Sequence, residues 1–195
     1  MRIIAGTSKG RRLHPPGRGR NAQKIRPTTD RAREALFDIL GPAGVTGARV
    51  LDLFAGTGAL ALEALSRGAL EAVLVEKASF ALDLIRKNIA LCGFSARTHV
   101  IRHDLLKDRF FLSGRDELGG FYDLLFLDPP YRQKICHSLL AELPDYDIIG
   151  PDTVVVCEDA SSETLPESLA KLKLFDRRRY GDTGFWFYRY QKAES

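Results

Sequence analysis

From residue 48 onward, short apolar runs alternate with segments whose apolar positions recur at helical spacing. The runs predict strands and the segments between them predict helices. Continuously apolar strands are typical of a parallel sheet that helices cover on both faces. The predicted strands are 49–54, 71–76, 98–102, 122–128 and 153–158, and the predicted helices are 58–67, 79–92 and 134–143.

The two ends of the chain differ from this alternating pattern. Residues 172–180 and 184–190 flank Gly181-Asp182-Thr183, which predicts an antiparallel hairpin. Near the start, an apolar stripe over 32–40 follows the N-cap candidates at 28–30 and stops at Gly41-Pro42, which predicts a helix. The sequence therefore predicts an α/β domain over 26–195, with a mostly parallel seven-stranded sheet that ends in the hairpin. Residues 1–25, rich in Gly, Pro and Arg, form an N-terminal extension with two short strands at most.

Charge is unevenly distributed along the chain. The first 33 residues hold ten Lys and Arg and one Asp, a net charge of +9, whereas the other 162 hold 19 basic and 24 acidic residues, a net charge of −5. The chain is thus a basic extension on a slightly acidic body. No apolar run approaches the roughly 20 residues of a membrane span, and no signal peptide is expected before the domain. Three scattered cysteines without metal-ligand spacing predict no metal site, and we expect a cytoplasmic protein.

A glycine turn follows the first predicted strand, in the segment Asp52-Leu53-Phe54-Ala55-Gly56-Thr57-Gly58. Two glycines permit a tight turn and a close approach of a ligand to the backbone. Glu76 ends the second strand, where a carboxylate can accept hydrogen bonds from both hydroxyls of an adenosine ribose. Asp104 follows the third strand and could accept from the adenine amine. The pattern indicates a nucleoside cofactor, and its G-x-G-x-x-A spacing leaves NAD open.

Asp128-Pro129-Pro130-Tyr131 follows the fourth predicted strand. Two prolines remove two backbone donors, so the turn presents carbonyls, a carboxylate and an aromatic ring. This arrangement suits a planar substrate with an exocyclic amine. Tyr131 would stack on the base, while Asp128 and the carbonyl of Pro129 accept the amino hydrogens.

The motifs DLFAGTG and DPPY, with Glu76 between them, resemble those of class I S-adenosylmethionine-dependent amino-methyltransferases. The segments RPTTDRAREALF and DLFAGTGALALEALSRGA are similar to those of the RsmD family, which methylates the N2 amine of a guanine in 16S rRNA. The resemblance runs from Arg2 to the terminal YGDTGFWFYRY. It implies a Rossmann-like class I methyltransferase fold, S-adenosylmethionine as cofactor and 16S rRNA or a small-subunit assembly intermediate as partner.

The resemblance also assigns roles to individual residues. It implies that Asp52, Gly56 and Gly58 line the methionine half of the cofactor, Glu76 its ribose and Asp104 its adenine. Residues 128–131 would hold the guanine. Phe54, Ala55 and Thr57 complete the predicted cofactor site, and a monomer without metal is expected.

The basic extension is predicted to bind RNA, because Lys and Arg that neutralise phosphates supply most non-specific affinity. The candidate residues are Arg11, Arg12, Arg18, Arg20, Lys24 and Arg26. Arg31 and Arg33 lie on the first helix and are expected to form surface pairs with Glu34 or Asp38. Side chains on a strand alternate between its two faces, so Arg177, Arg178 and Arg179 cannot all point toward RNA. The aromatic residues at 185–187 are expected in the core.

Three other functions are compatible with parts of this pattern. An adenine-N6 methyltransferase would share the DPPY motif, although 195 residues leave no separate target-recognition domain. A nicotinamide oxidoreductase would share the glycine turn but leave DPPY and the basic extension unexplained. A non-catalytic RNA-binding assembly factor would not need the intact set of acidic residues and DPPY.

Overall fold

The computed structural model describes residues 1–17, 28–113, 120–130 and 134–191, and the chain divides into two compact units, residues 1–105 and 106–195. The helices are α1 (Asp30–Leu40), α2 (Ala59–Ser66), α3 (Ser79–Cys92) and α4 (Ile135–Glu142). The strands are β1 (Arg49–Asp52), β2 (Glu71–Glu76), β3 (Thr98–Arg102), β4 (Leu124–Leu127), β5 (Val154–Ala160), β6 (Ser168–Leu169), β7 (Leu172–Tyr180) and β8 (Thr183–Tyr190). Within the described ranges, no helix is long and apolar enough to cross a membrane.

The first unit contains parallel strands in the order β3-β2-β1. Their register pairs Asp52 with Leu74 and Glu76 with Arg102, so the strand ends that carry the predicted cofactor residues lie at one edge. Every residue of α2 is buried, as are the four central residues of β2. Burial on all sides explains why six of the eight residues of α2 are apolar and do not form a single stripe, Glu63 and Ser66 being the exceptions.

The second unit begins with β4, parallel to β5, and continues with antiparallel neighbours in the order β5-β8-β7-β6. All four residues of β4 are buried, and so are Phe185, Trp186, Phe187 and Tyr188 on β8. The parallel strands and the terminal hairpin confirm the predicted arrangement, as does the core position of the 185–187 aromatics. The strand number is eight rather than seven, because the two-residue strand β6 is too short to leave a pattern in the sequence.

The described part of the N-terminal extension, residues 1–17, belongs to the first unit and packs against its helices. Its predicted pair of short strands is reduced to a single bridge between Arg2 and Arg12, beside a bond from the N–H of Ile3 to the carbonyl of Arg11 (2.9 Å). Ile3 and Leu13 are buried, and the hydroxyl of Ser8 donates to the carbonyl of Cys92 (3.0 Å). This part of the extension is therefore anchored to the unit by buried contacts.

A buried acid, Glu63 on α2, receives the start of the extension. Its two carboxylate oxygens accept from the N–H of Ile4 (2.8 Å) and of Ala5 (3.0 Å), and one also accepts from Nε of Arg67 (2.8 Å). Nε of Arg33 lies 3.8 Å from the same carboxylate, and both side chains are completely buried. A buried charge requires such partners, because desolvation without them costs several kcal/mol.

The position of Arg33 corrects the expectation of a surface pair with Glu34 or Asp38. Its guanidinium donates to Asp30 (3.0 Å) and to the carbonyl of Arg2, in addition to its approach to Glu63. Arg33 falls on the buried side of α1 beside Leu36 and Phe37, whereas Arg31 is exposed. The helix itself begins as predicted, with the hydroxyl of Thr29 accepting from the N–H of Ala32 (3.2 Å).

Candidate active site

The glycine turn lies between β1 and α2, as predicted. Gly56 and Gly58 have φ values of 53° and 76°, in the left-handed region that favours glycine. The N–H of Gly58 donates to the carbonyl of Ala55 (2.6 Å), which closes the turn directly before α2. A Cβ atom on Gly58 would lie 3.2 Å from Cδ2 of Leu74 on β2, so the turn is held close to the sheet.

Glu76 connects the turn to the loop after β2. Its Oε2 accepts from the N–H of Gly56 (3.0 Å), and its Oε1 accepts from the N–H groups of Lys77 and Ala78 (both 2.8 Å). A carboxylate has about four acceptor sites, so these bonds leave roughly one for a ligand. Acceptance from both ribose hydroxyls would thus require Glu76 to release one of its backbone partners.

The other acidic residues predicted for the cofactor differ in exposure. Asp104, two residues beyond β3, is 27% exposed, and its Oδ1 lies 3.5 Å from Nζ of Lys77. The N–H of the preceding His103 donates to the carbonyl of Glu76 (3.2 Å). Glu76 and Asp104 therefore lie next to each other at the ends of adjacent strands. Asp52, at the end of β1, is only 1% exposed, whereas Phe54 is half-buried. Of the three carboxylates predicted for the cofactor, Glu76 and Asp104 are therefore the two that solvent reaches.

Asn88 on α3 is a residue of this site that the sequence did not suggest. It is completely buried, and its amide nitrogen donates to the carbonyl of Thr57 in the glycine turn (3.0 Å). Its amide oxygen accepts from the N–H of His14 in the N-terminal extension (2.8 Å). The same side chain thus joins the turn to the extension. The sequence offered one sign of this role: Asn88 is a polar amide between Ile85 and Ile89 on the apolar side of α3.

In the second unit, Asp128, Pro129 and Pro130 directly follow β4. Asp128 is half-buried, Pro129 is buried and Pro130 is exposed. Tyr131, the fourth residue of the predicted DPPY site, lies outside the described residues. The first part of the motif therefore stands at the end of a fully buried strand, with a carboxylate that solvent can reach.

Cys136 on α4 lies near this motif. A hydrogen bond with Cys157 and burial raise the pKa of the Cys136 thiol well above its usual range, and the negative charges of Asp159 and Asp128 raise it further. Burial likewise raises the pKa of Cys92. All three cysteines are buried and free, so neither thiolate chemistry nor a disulfide contributes to this site. Throughout the described part of the chain, His, Cys, Asp and Glu side chains form no group that could hold a metal ion.

The residues predicted to bind RNA are only partly described. Arg11 and Arg12 are exposed, and the guanidinium of Arg11 donates to the carbonyl of Leu91 near the end of α3. That bond occupies one of its five N–H donors and leaves the others for a phosphate. Arg18, Arg20, Lys24 and Arg26 lie outside the described residues.

Comparison with known sequences identifies close relatives over nearly the whole chain. The family model described as "Conserved hypothetical protein 95" matches residues 1–189. The Ribosomal RNA small subunit methyltransferase D of Escherichia coli is 32% identical over 188 residues, which are 96% of this chain and 89% of that protein. The Bacillus subtilis protein YlbH is 33% identical over 189 residues, or 97% of this chain and 98% of that one.

Solved structures show the same fold. A protein from Escherichia coli superposes with a TM-score of 0.79 at 32% identity and covers 98% of both chains. A Thermus thermophilus protein gives a TM-score of 0.75 at 30% identity, over 96% of this chain and 98% of that one. An RNA methyltransferase from Salinibacter ruber, solved with S-adenosyl-L-homocysteine, shares the fold alone at 15% identity and a TM-score of 0.62.

These likenesses confirm the predicted Rossmann-like class I methyltransferase fold and decide between methyl transfer and the hydride transfer that the glycine turn had left open. The family model and the relatives each span almost the entire chain, so the match does not depend on the widespread DPPY motif. The chain belongs to the RsmD family of S-adenosylmethionine-dependent rRNA methyltransferases.

Proposed function

We propose that this protein transfers a methyl group from S-adenosylmethionine to the exocyclic N2 amine of a guanine in 16S rRNA. The observation that carries the proposal is the half-buried carboxylate of Asp128, followed by Pro129 and Pro130, at the end of a buried strand in a chain of this family. Two acceptors and few competing N–H donors suit a substrate that presents an amino group.

The cofactor side of the proposal rests on the glycine turn and its neighbours. Gly56 and Gly58, both at positive φ, have no side chain that would hold a ligand away from the backbone, and Glu76 and Asp104 offer carboxylate oxygens to hydroxyl and amine donors. These groups fit a nucleoside with a ribose diol. The predicted contacts of Asp52, Phe54, Ala55 and Thr57 belong to the same proposal, and Asn88 holds the turn through Thr57.

The chemistry that the cofactor supplies is an electrophilic methyl group on a sulfonium sulfur. The amine of guanine is conjugated with its ring and therefore a weak nucleophile. Hydrogen bonds to Asp128 and to the carbonyl of Pro129 would draw its lone pair out of conjugation and orient it for in-line attack. The new N–C bond forms as the C–S bond breaks, and the amine then releases its extra proton. Tyr131 would stack on the base.

Variants of Asp128 test this assignment. In transfer of labelled methyl groups to undermethylated small subunits, Asp128→Ala should lower kcat by about 100-fold or more, as loss of an aligned polar group does in other enzymes. Binding of S-adenosylhomocysteine, measured by calorimetry, should stay within about twofold of the original. Asp128→Asn retains one acceptor oxygen and should retain intermediate activity.

Activity of Asp128→Ala equal to that of the original protein would contradict the acceptor role. A protein that binds cofactor and rRNA but transfers no methyl group would instead be an assembly factor. The same assay on naked 16S rRNA and on assembled subunits identifies which of the two is the substrate. Either substrate implies that the protein acts in the cytoplasm. Sedimentation of the protein alone tests the expectation that it is a monomer.

A further inference from the structure

The β7–β8 hairpin carries a second concentration of positive charge, far along the chain from the N-terminal extension. Residues 171–191 contain six Lys and Arg and two Asp. The exposed members include Lys173, Arg178 and Arg189. Such an excess of positive charge on one hairpin favours contact with a polyanion.

The register of the hairpin divides the arginine run between two faces. Arg178 is paired with Phe185, on the same face as Phe187 and Arg189, whereas Arg177 is paired with Trp186 on the opposite face. Arg177 lies over the Trp186 ring at 5.0 Å and donates to the carbonyl of Glu163 (3.2 Å). Arg177 therefore covers the core, and Arg178 is the member of the run that shares a face with Arg189.

A β-bulge turns an aromatic ring outward on the face of Arg178. The register of β7 against β8 shifts between Leu174 and Asp176, which leaves Phe175 without a paired residue. Phe175 is 44% exposed, although its ring lies only 6.0 Å from that of the buried Phe187. The guanidinium of Arg189 lies 4.9 Å from the centre of the Phe175 ring.

Lys173 completes this group, because it is directly paired with Arg189 across the two strands. Within the described residues neither of these two cations forms an ion pair, whereas Arg178 pairs with Asp176 (3.0 Å). An exposed ring with the Arg189 guanidinium over it and Lys173 beside that arginine is an arrangement on which unstacked bases lie while their phosphates are neutralised. The hairpin carries two acids, Asp176 beside Arg178 and Asp182 in its turn, against six Lys and Arg, so its charge suits a nucleic acid better than a basic protein surface.

We infer that Lys173, Phe175, Arg178 and Arg189 form a second RNA-binding surface, termed here the hairpin patch. A single-stranded segment of the substrate rRNA would stack a base on Phe175 or on the Arg189 guanidinium and place its phosphates beside Lys173 and Arg178. The inference rests on the proposed function for the identity of the RNA. It adds a contact that the N-terminal extension does not supply.

The test measures binding of 16S rRNA by filter retention over a range of salt concentrations. The double variant Lys173→Glu/Arg189→Glu should bind about tenfold or more weakly and show a shallower salt dependence, by about one to two phosphate contacts. Phe175→Ala should bind about tenfold more weakly through lost stacking, while Phe175→Leu keeps the apolar contact with Phe187 and separates stacking from folding. Binding of S-adenosylhomocysteine should not change.

The matched control is Arg86→Glu/Lys87→Glu, which makes the same change in net charge at exposed positions on α3. Equal losses in the control and the hairpin variant would reduce the effect to overall charge and overturn the inference. So would unchanged RNA binding by the hairpin variants, while methyl transfer by the original protein would leave the proposed function intact. Loss of binding to assembled subunits but not to naked rRNA would indicate a ribosomal protein as the partner and also overturn it. An original protein that neither binds nor methylates rRNA would contradict the proposed function itself.

Discussion

Gly58 shows how strictly one position of the turn is determined. Its φ of 76° disfavours any residue with a side chain, and a Cβ atom would also press on Leu74 at 3.2 Å. Gly93, which ends α3, has nearly the same φ of 77°, but a Cβ atom there would meet no other atom within 4 Å. The two glycines therefore share the backbone cost of a substitution, and only Gly58 adds a steric cost.

Gly58→Ala should consequently lose more stability than Gly93→Ala. The left-handed conformation costs each variant about 1–2 kcal/mol, and the contact with Leu74 adds a further loss only at Gly58. Affinity for S-adenosylhomocysteine should fall at least tenfold in Gly58→Ala and stay unchanged in Gly93→Ala. Urea unfolding and calorimetry measure both effects. Equal cofactor affinity in the two variants would show that the turn tolerates a side chain and does not approach the ligand closely.

At the scale of elements, the sequence predicted the regular framework well. The bounds of β2, β3, α3 and β7 agree with the prediction, because continuous apolar runs and the helical stripe leave little choice of period. The buried pair of Arg33 and Glu63 could not be predicted, since no local pattern reveals which charges 30 residues apart will meet. The same holds for Asn88, whose partners belong to the turn and the extension. The acidic residues and the DPP turn were found because each lies at the end of a strand or within two residues of it.

Glu63 should control how the N-terminal extension attaches to α2. Glu63→Gln removes the negative charge that Arg33 and Arg67 share while keeping one acceptor oxygen. Breaking one side of a buried charge cluster costs about 3–5 kcal/mol, because the remaining charge is uncompensated. Urea unfolding should show this loss, and limited proteolysis should cleave within residues 1–17 faster than in the original protein.

Replacing both buried charges separates the attachment of the N-terminal extension from the cost of an uncompensated buried charge. Arg33→Met combined with Glu63→Leu removes the uncompensated ion and should recover part of the stability, whereas the bonds to Ile4 and Ala5 stay lost. Proteolysis of the extension should therefore remain fast in the double variant. A slow rate in either variant would contradict the role of Glu63 as its anchor.

For the whole molecule, the raised thiol pKa values predict a loss of stability at alkaline pH. An unfolded thiol ionises near pH 8.5. The hydrogen bond with Cys157 and burial keep Cys136 protonated in the fold at that pH, so the folded state holds a proton that the unfolded chain releases. This contribution is fully present below about pH 8.5 and is lost as pH rises toward the folded pKa.

The free energy of unfolding in urea should thus fall between pH 8.5 and 10, by up to about 1.4 kcal/mol per pH unit for each such thiol. Cys136→Ala removes one of these groups and should have a shallower slope, whatever its stability at pH 7. Cys92→Ala should also have a shallower slope than the original protein, since burial raises the pKa of the Cys92 thiol too. Identical slopes in all three proteins would show that the thiols do not titrate in this way.

The uneven charge of the chain can now be related to where its basic segments lie in the structure. The basic extension is not a tail along its described length, because residues 1–17 pack on α2 and α3. Through Asn88 it also contacts the turn predicted to bind the cofactor. The net charge of +4 is therefore the sum of +9 on residues 1–33, +4 on residues 171–191 of the hairpin and −9 on the rest of the chain.

Mass spectrometry of rRNA nucleosides tests whether the protein methylates the N2 amine of a guanine. Undermethylated small subunits are incubated with the protein and S-adenosylmethionine, and their 16S rRNA is digested to nucleosides. We expect one new N2-methylguanosine, absent when Asp128→Ala replaces the original protein. N6-methyladenosine in its place, or no new methylated nucleoside, would contradict it.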